Sequence, residues 1–263
     1  MSGYADLVER TSADNSIGKA VSVLNALRGA ENGAGARALA STTGLPRSTV
    51  QRLLASLGAS GMVIQDEATQ QYRIGPQALI IGLGYNAGSV LLAVARPHMV
   101  SLRDEIGETV GLSVAVGDSR IFIDEVQSTF ELRFASEMGR LYPLWSGANG
   151  RLLLSDLADV EIERVLDSFS DGGPVHRPLS AQETWEQIRR IRRDGYAMAS
   201  DEAIADVSSV STPVRDAHGR ITAALSASGP SERFTEERMN ACLGPLRAAS
   251  EAISSRVGRG PQY

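Results

Sequence analysis

Apolar residues are spaced most regularly between Gly44 and Leu57, where Val50, Leu53, Leu54 and Leu57 fall at i, i+3, i+4 and i+7. That spacing predicts a helix with one buried stripe. Its opposite side carries Ser48, Arg52 and Ala55, flanked by Thr49 and Gln51, and Pro46 suits the first helical position because a missing N–H is harmless there. Upstream, Ser16 reads as the N-cap of a helix patterned by Ile17, Ala20, Val21, Leu24 and Leu27, which stops at Arg28-Gly29. Ala36–Thr43 predicts a second, shorter helix with Leu39 and Ala40 inward, broken by Gly44. Downstream, Met62–Gln65 and Gln71–Ile74 alternate about a polar turn at Asp66–Gln70, the pattern of a hairpin. Three helices followed by a hairpin make a winged helix-turn-helix, and the short link Gly44-Leu45-Pro46 suits the tight turn between its second and third helices.

The remaining pattern predicts a second domain. Residues 1–13 are polar and unpatterned and read as a flexible tail, ahead of a winged domain at 14–75. Gly75-Pro76 closes that domain, and Gln77–Asn86, with Leu79, Ile80 and Leu83 on one side, reads as a linker helix (76–90) that also packs against a partner chain. Leu91–Glu105 is a longer helix that Pro97 kinks or restarts. From Thr109 the period becomes that of strands, at Val110–Val116, Arg120–Val126 and Leu132–Ala135. Helices return at Asn149–Leu154, Leu157–Phe169 and Glu183–Asp194, then strands at Ser208–Val214 and Ile221–Ser228, and a last helix at Thr235–Val257. Helices with a mostly antiparallel sheet give an α+β domain over 91–263.

Charge and composition change this picture in two respects. The net charge of −5 argues against a polyanionic partner, yet residues 14–75 carry six basic against four acidic side chains, so the negative charge lies on the rest of the chain. A mildly basic module on an acidic body can meet phosphates while the body resists non-specific adhesion. The lone cysteine, Cys242, forms no intrachain disulfide, no apolar run is long enough to span a bilayer, and the N-terminus lacks the order of a signal peptide, so the expected location is the cytoplasm, with no membrane partner.

Small hydrogen-bonding residues among arginines suit a helix that enters a major groove, which makes Arg47, Ser48, Thr49, Gln51 and Arg52 the candidate base-reading set for double-stranded DNA. Arg37 at the start of the second helix and Arg73 on the wing are candidate phosphate contacts. In the second domain, Tyr142–Gly150 puts small residues before a helix expected to begin near Asn149, and a helix N-terminus is a natural seat for a carboxylate. Ser209 and Ser211, and likewise Ser226 and Ser228, fall on one face at period two. Together they either line a small polar cavity or simply permit close packing.

These stretches resemble the isocitrate-lyase-regulator (IclR) family of bacterial transcription factors. The resemblance runs through Ser16–Leu24, Leu39-Ala40, Gly44–Leu54 and Tyr72–Gly75, then Asp201-Glu202, Ser211–Asp216, Gly219, Ala223–Pro230 and Arg233–Thr235, nearly the whole chain. It implies a GAF-like effector-binding domain behind the winged helix, a homo-oligomer (dimer or dimer of dimers), and a small organic acid as effector. By the resemblance, Ala148, Asn149, Ser209, Ser211, Ser226 and Ser228 line the effector site, with Phe134, Tyr142 and Val207 as apolar walls. Three positions depart from the family pattern: Trp145 in place of His, Arg151 in place of Lys, and Asp206 in place of Gly. Trp145 adds aromatic surface beside the loop, and the expected effector is an aromatic carboxylate. The function so implied is that of a regulator, commonly a repressor, whose operator binding responds to the acid.

Two other functions remain open at this point. A constitutive DNA-binding protein would use its second domain only to oligomerise. An enzyme is disfavoured, since His98, His176 and His218 have neither metal-ligand spacing nor a nucleophile partner, and no cofactor or metal motif is present.

Overall fold

The computed structural model describes residues 15–30, 32–167 and 175–257. The expected tail at 1–13 and the last two residues of the helix expected to end at Phe169 lie outside these. The chain forms two compact units that divide between Ser89 and Val90.

In the first unit, helix α1 spans Ser16–Arg28, α2 Ala36–Thr43 and α3 Arg47–Ala59, followed by a hairpin of β1 (Val63–Gln65) and β2 (Tyr72–Ile74) and by helix α4 (Pro76–Gly88). Val50, Leu53 and Leu54 of α3 meet Val23 and Leu27 of α1, Leu39 of α2 and Val63 of β1 in one core, with Leu57 half-buried at its edge. The hairpin is antiparallel and runs from Val63↔Ile74 to Gln65↔Tyr72. Gly44 sits at φ +67°, a left-handed backbone that ends α2 without strain. Two expectations shift by one residue. The cap of α1 is Asn15, whose side chain accepts from Gly18 N at 2.8 Å, and Pro46 precedes α3 as its cap residue, where it needs no N–H and its carbonyl accepts from Val50 N. The stripe of α1 is also rotated from the expected one: Val23 and Leu27 are buried, whereas Ile17 is 78% exposed.

The second unit is built on a six-stranded sheet in the order β5-β4-β3-β8-β7-β6, with every neighbouring pair antiparallel. Its strands are β3 (Thr109–Val116), β4 (Ser119–Val126), β5 (Tyr142–Pro143), β6 (Ala197–Ser200), β7 (Val207–Arg215) and β8 (Ile221–Pro230). Helices α5 (Val90–Ile106) and α9 (Glu236–Val257) cover one face, burying Met99, Leu102, Leu112, Val210, Leu225 and Leu246 among others. Helices α6 (Gly147–Leu154), α7 (Asp159–Asp167) and α8 (Ala181–Asp194) build a second core with Ala197, Ala199 and Ala224. Helix α5 continues through Pro97 as one element.

Residues 132–135 form no strand. Side chains satisfy their backbone instead: Thr109 Oγ1 donates to Phe134 O at 2.7 Å, Arg233 Nη1 donates to Leu132 O at 2.8 Å, and Glu125 Oε2 accepts from Ser136 N at 2.7 Å. The strand beside β4 comes later, at Tyr142, and β6 is an element the pattern did not announce.

Candidate nucleic-acid interface and ligand cavity

Because Val50, Leu53 and Leu54 fix the rotation of α3, Arg47, Ser48, Gln51 and Arg52 are turned to solvent, with Thr49 half-buried beside them. Arg37 on α2 and Arg73 on β2 are also exposed. Among the described residues, the side chains of Arg37, Arg47 and Arg52 make no hydrogen bond or ion pair, so no described group competes with an external anion for them. The wing turn is ordered by Asp66, whose carboxylate accepts from Thr69 N at 2.7 Å, Thr69 Oγ1 at 2.9 Å and Ala68 N at 3.1 Å. The Thr69 backbone N–H, followed by its hydroxyl, holds that carboxyl below the usual aspartate range.

In the second unit the strand register pairs Ser209 with Ser228 and Ser211 with Ser226, which puts all four serines on the face that α6 covers. The four divide in use. Ser211 Oγ donates to Asn149 Oδ1, Asn149 Nδ2 donates to Ser226 Oγ at 3.1 Å, and Ser226 Oγ donates to Gly111 O at 3.3 Å. This chain of bonds ties α6 to the middle of the sheet and satisfies its members. Helix α6 starts at Gly147, so Asn149 lies inside its first turn, and its amide serves the sheet.

Ser209 and Ser228 instead line a small cavity of about 30 Å³, with Arg120, Phe122, Phe134, Gly147, Asn149, Ala199, Glu202, Ala203, Ile204 and Val207. That is room for one water-sized molecule. Phe134, Ala203, Ile204 and Val207 also form the floor of an open groove of about 770 Å³, to which Tyr142, Arg133, Arg140 and His176 belong. Of the expected wall residues, Phe134 and Val207 thus border both spaces, and Tyr142 borders the groove. Trp145 and Ala148 are packed with Leu152, Leu153, Ile162 and Ile188 in the second core, and they join Ser211 and Ser226 outside the cavity lining.

The segment 201–206 forms the roof of the cavity. Arg151, 1% exposed, pairs with Glu202 through both guanidinium Nη atoms, and Nη2 also donates to Met198 O at 3.0 Å. Asp201 and Asp206 both adopt left-handed backbone, φ +60° and +59°, and Asp201 Oδ1 accepts from Asp206 N at 2.6 Å. The φ at Asp206 accounts for a glycine there in the family pattern.

One cavity residue escaped the sequence reading. Arg120 on β4 is 4% exposed, its guanidinium lying 5.1 Å from the Phe122 ring centroid and 4.8 Å from that of Tyr142. Phe122 reaches this position because residue 111 is glycine: a Cβ there would stand 2.7 Å from the ring. Desolvation pushes the Arg120 guanidinium down to about 10, which leaves it a cation at neutral pH.

The profile of the bacterial transcriptional regulator IclR C-terminal domain matches residues 86–255, and that of the IclR helix-turn-helix domain matches residues 16–67. The chain belongs to the IclR family. IclR-family proteins are DNA-binding transcriptional regulators and not enzymes, which removes the catalytic alternative. Among its relatives, the HTH-type transcriptional regulator KdgR of Escherichia coli is 28% identical over 97% of both chains. The acetate operon repressor of Salmonella typhimurium is 29% identical over 84% of this chain and 81% of its own. An IclR transcriptional regulator from Silicibacter sp. TM1040 has the same fold, with a TM-score of 0.83 at 24% identity, covering 94% of this chain and 98% of that one. An IclR homologue from Microbacterium hydrocarbonoxydans complexed with 4-hydroxybenzoate aligns with a TM-score of 0.73 at 21% identity, covering 94% of this chain and all of the other.

Proposed function

We propose that this IclR-family regulator is a cytoplasmic repressor that reads operator DNA with α3, and that a small organic acid bound in its second unit sets operator occupancy. The observation that carries the reading is the outward, internally unpaired set on α3, Arg47 and Arg52 with Ser48 and Gln51, on a helix whose opposite face is committed to the core. Arg47 and Arg52 have the geometry to reach guanine edges or phosphates, with Arg37 and Arg73 on the flanking backbone. The repressor sense is supported by the acetate operon repressor among the relatives, and the aromatic acid by the neighbour that holds 4-hydroxybenzoate.

A homo-oligomer belongs to the same reading. Leu79, Ile80, Ile81, Leu83 and Tyr85 on α4 are each more than half exposed, an apolar surface suited to a second copy of the chain. Two winged helices held as a pair read two half-sites, whereas one alone binds weakly. The acid acts only through different affinities for the DNA-competent and DNA-incompetent arrangements.

The test is an anisotropy titration of labelled upstream DNA with the full-length protein, with and without a panel of acids that includes 4-hydroxybenzoate, benzoate and pyruvate. Acid-dependent change in operator affinity supports the reading. Operator binding indifferent to every acid leaves a constitutive DNA-binding protein.

A further inference from the structure

Arg120 is a side chain whose chemistry the fold leaves unused. It stands on the floor of the 30 Å³ cavity, and its Nε and Nη1 are fully buried with no acceptor. Among the described residues the other charged side chain that lines the cavity is Glu202, and it is committed. Glu202 is held by Arg151, whose remaining bond goes to Met198 O. Glu125 accepts from Ser136 N. Among the described residues no carboxylate is positioned to offset the Arg120 charge, and its electrostatic neighbour is the phenol of Tyr142. A buried guanidinium without a counter-ion is costly, so its retention calls for an anion that arrives from outside.

The surroundings specify that anion. Phe122 and Tyr142, themselves in edge contact, both pack against the guanidinium, and its planar N–H edge matches a carboxylate in a two-pronged pair. Ser209 and Ser228, on neighbouring strands of the same sheet, border the same space. A volume of about 30 Å³ admits at most the head of such an acid, the carboxylate. Anything attached to it must pass the shared wall of Phe134, Ala203, Ile204 and Val207 and lie in the 770 Å³ groove, against Phe134 and Tyr142.

We propose that Arg120 is the receptor for the carboxylate of the effector, selecting a monocarboxylate with a flat apolar body, and that uptake displaces the 203–207 wall so that cavity and groove become one site. This rests on the reading of the second unit as an acid-binding domain and assigns that unit a charge-reading residue on β4, in addition to the serine strands. The displaced wall leads directly into Glu202, so the Arg151 pair is the catch that filling the site must strain.

The experiment compares benzoate and pyruvate with the neutral benzamide on the full-length protein by isothermal calorimetry, for the parent, Arg120→Met and Arg120→Lys. The expected result is that the parent binds benzoate at least tenfold more tightly than benzamide. Arg120→Met binds the two alike, with benzoate affinity reduced tenfold to a hundredfold. Arg120→Lys, which keeps the charge and loses the planar edge, falls between. Equal benzoate affinity in parent and Arg120→Met overturns the assignment of Arg120 while leaving the acid-responsive regulator intact. Failure of the parent to bind any carboxylate at ~10 mM acid overturns both. If Arg120→Met does not fold, the benzoate-to-benzamide ratio of the parent decides alone, and a ratio near one overturns the proposal.

Discussion

Replacing Arg120 by methionine in the ligand-free protein is expected to leave the second unit about as stable as before, an unusual outcome for a buried arginine. Burial pushes its guanidinium down to about 10, which corresponds to roughly 3 kcal/mol of penalty on the charged form. Against this stand two ring contacts, worth about 1–2 kcal/mol each at a desolvated site, and the packing of the aliphatic stem, which methionine largely retains. The balance lies within about 1 kcal/mol of zero. The control is Arg151→Met, which strips the partner from Glu202 and leaves a carboxylate facing a cavity; removing one partner of a buried pair costs about 3–5 kcal/mol. Urea unfolding followed by tryptophan fluorescence reads the right unit, because Trp145 and Trp185 are the chain's two tryptophans and both belong to the second core. A loss of about 2 kcal/mol or more in Arg120→Met would refute the reasoning, since it would mean that the charge is already compensated without ligand.

Three further outcomes are expected. Arg47→Ala and Arg52→Ala each weaken operator binding by about 1–3 kcal/mol and relax preference at one base position, whereas Arg73→Ala lowers affinity for all sequences and reduces the salt slope by about 1, read by anisotropy against salt; none of the three shifts the urea midpoint. Gly150→Ala puts a Cβ 2.5 Å from Leu144 O and 3.0 Å from Pro143 O, both backbone atoms that cannot swing aside, so α6 must move and the urea midpoint falls by the equivalent of about 1–3 kcal/mol. At the wing, the carboxyl of Asp66 has a folded value below its unfolded one, so its stabilisation of the turn is complete above the ordinary aspartate value and is lost as pH falls through the lower folded value. The Thr69 amide resonance should therefore titrate below ~3.9, and a midpoint at or above that value contradicts the turn geometry.

The elements with unbroken periods were legible in the sequence. Val50, Leu53 and Leu54 report α3 because a helix that buries one stripe repeats it every three or four residues. Four serines at period two report a shared sheet face for the same reason, and the register pairs them. What was illegible depends on partners far along the chain. Leu132–Ala135 has the alternation of a strand, but Thr109 and Arg233 take up its carbonyls. Ala197–Ser200 is four residues of mostly small side chains, which carry little strand preference until β7 pairs with them. Ile17 matches the stripe of α1 yet stands in water, because Val23 and not Val21 meets the core. Arg120 is a charged residue in a strand and carries no local sign of burial; Phe122 and Tyr142 pack on it, and Glu202, Ala203, Ile204 and Val207 border the space it lines. The amide of Asn149, which lines the cavity, is bonded by serines 62 and 77 residues away, a pairing no local pattern announces.

The pairing at the middle of the sheet has a consequence for how the protein is made. Strand β3 joins β8 from Thr109↔Ser228 to Ser113↔Ala224, so the two halves of the second unit's sheet meet only across more than a hundred residues of chain. Closing so long a loop is slow, and it is impossible before β8 has been synthesised. The three helices and hairpin of the first unit, by contrast, lie within Ser16–Ile74. On the nascent chain the arginines of α3 are therefore presented on a finished surface while the strands that will enclose Arg120 are still unpaired. A polypeptide interrupted before Ile221 would carry a complete winged helix and no cavity at all.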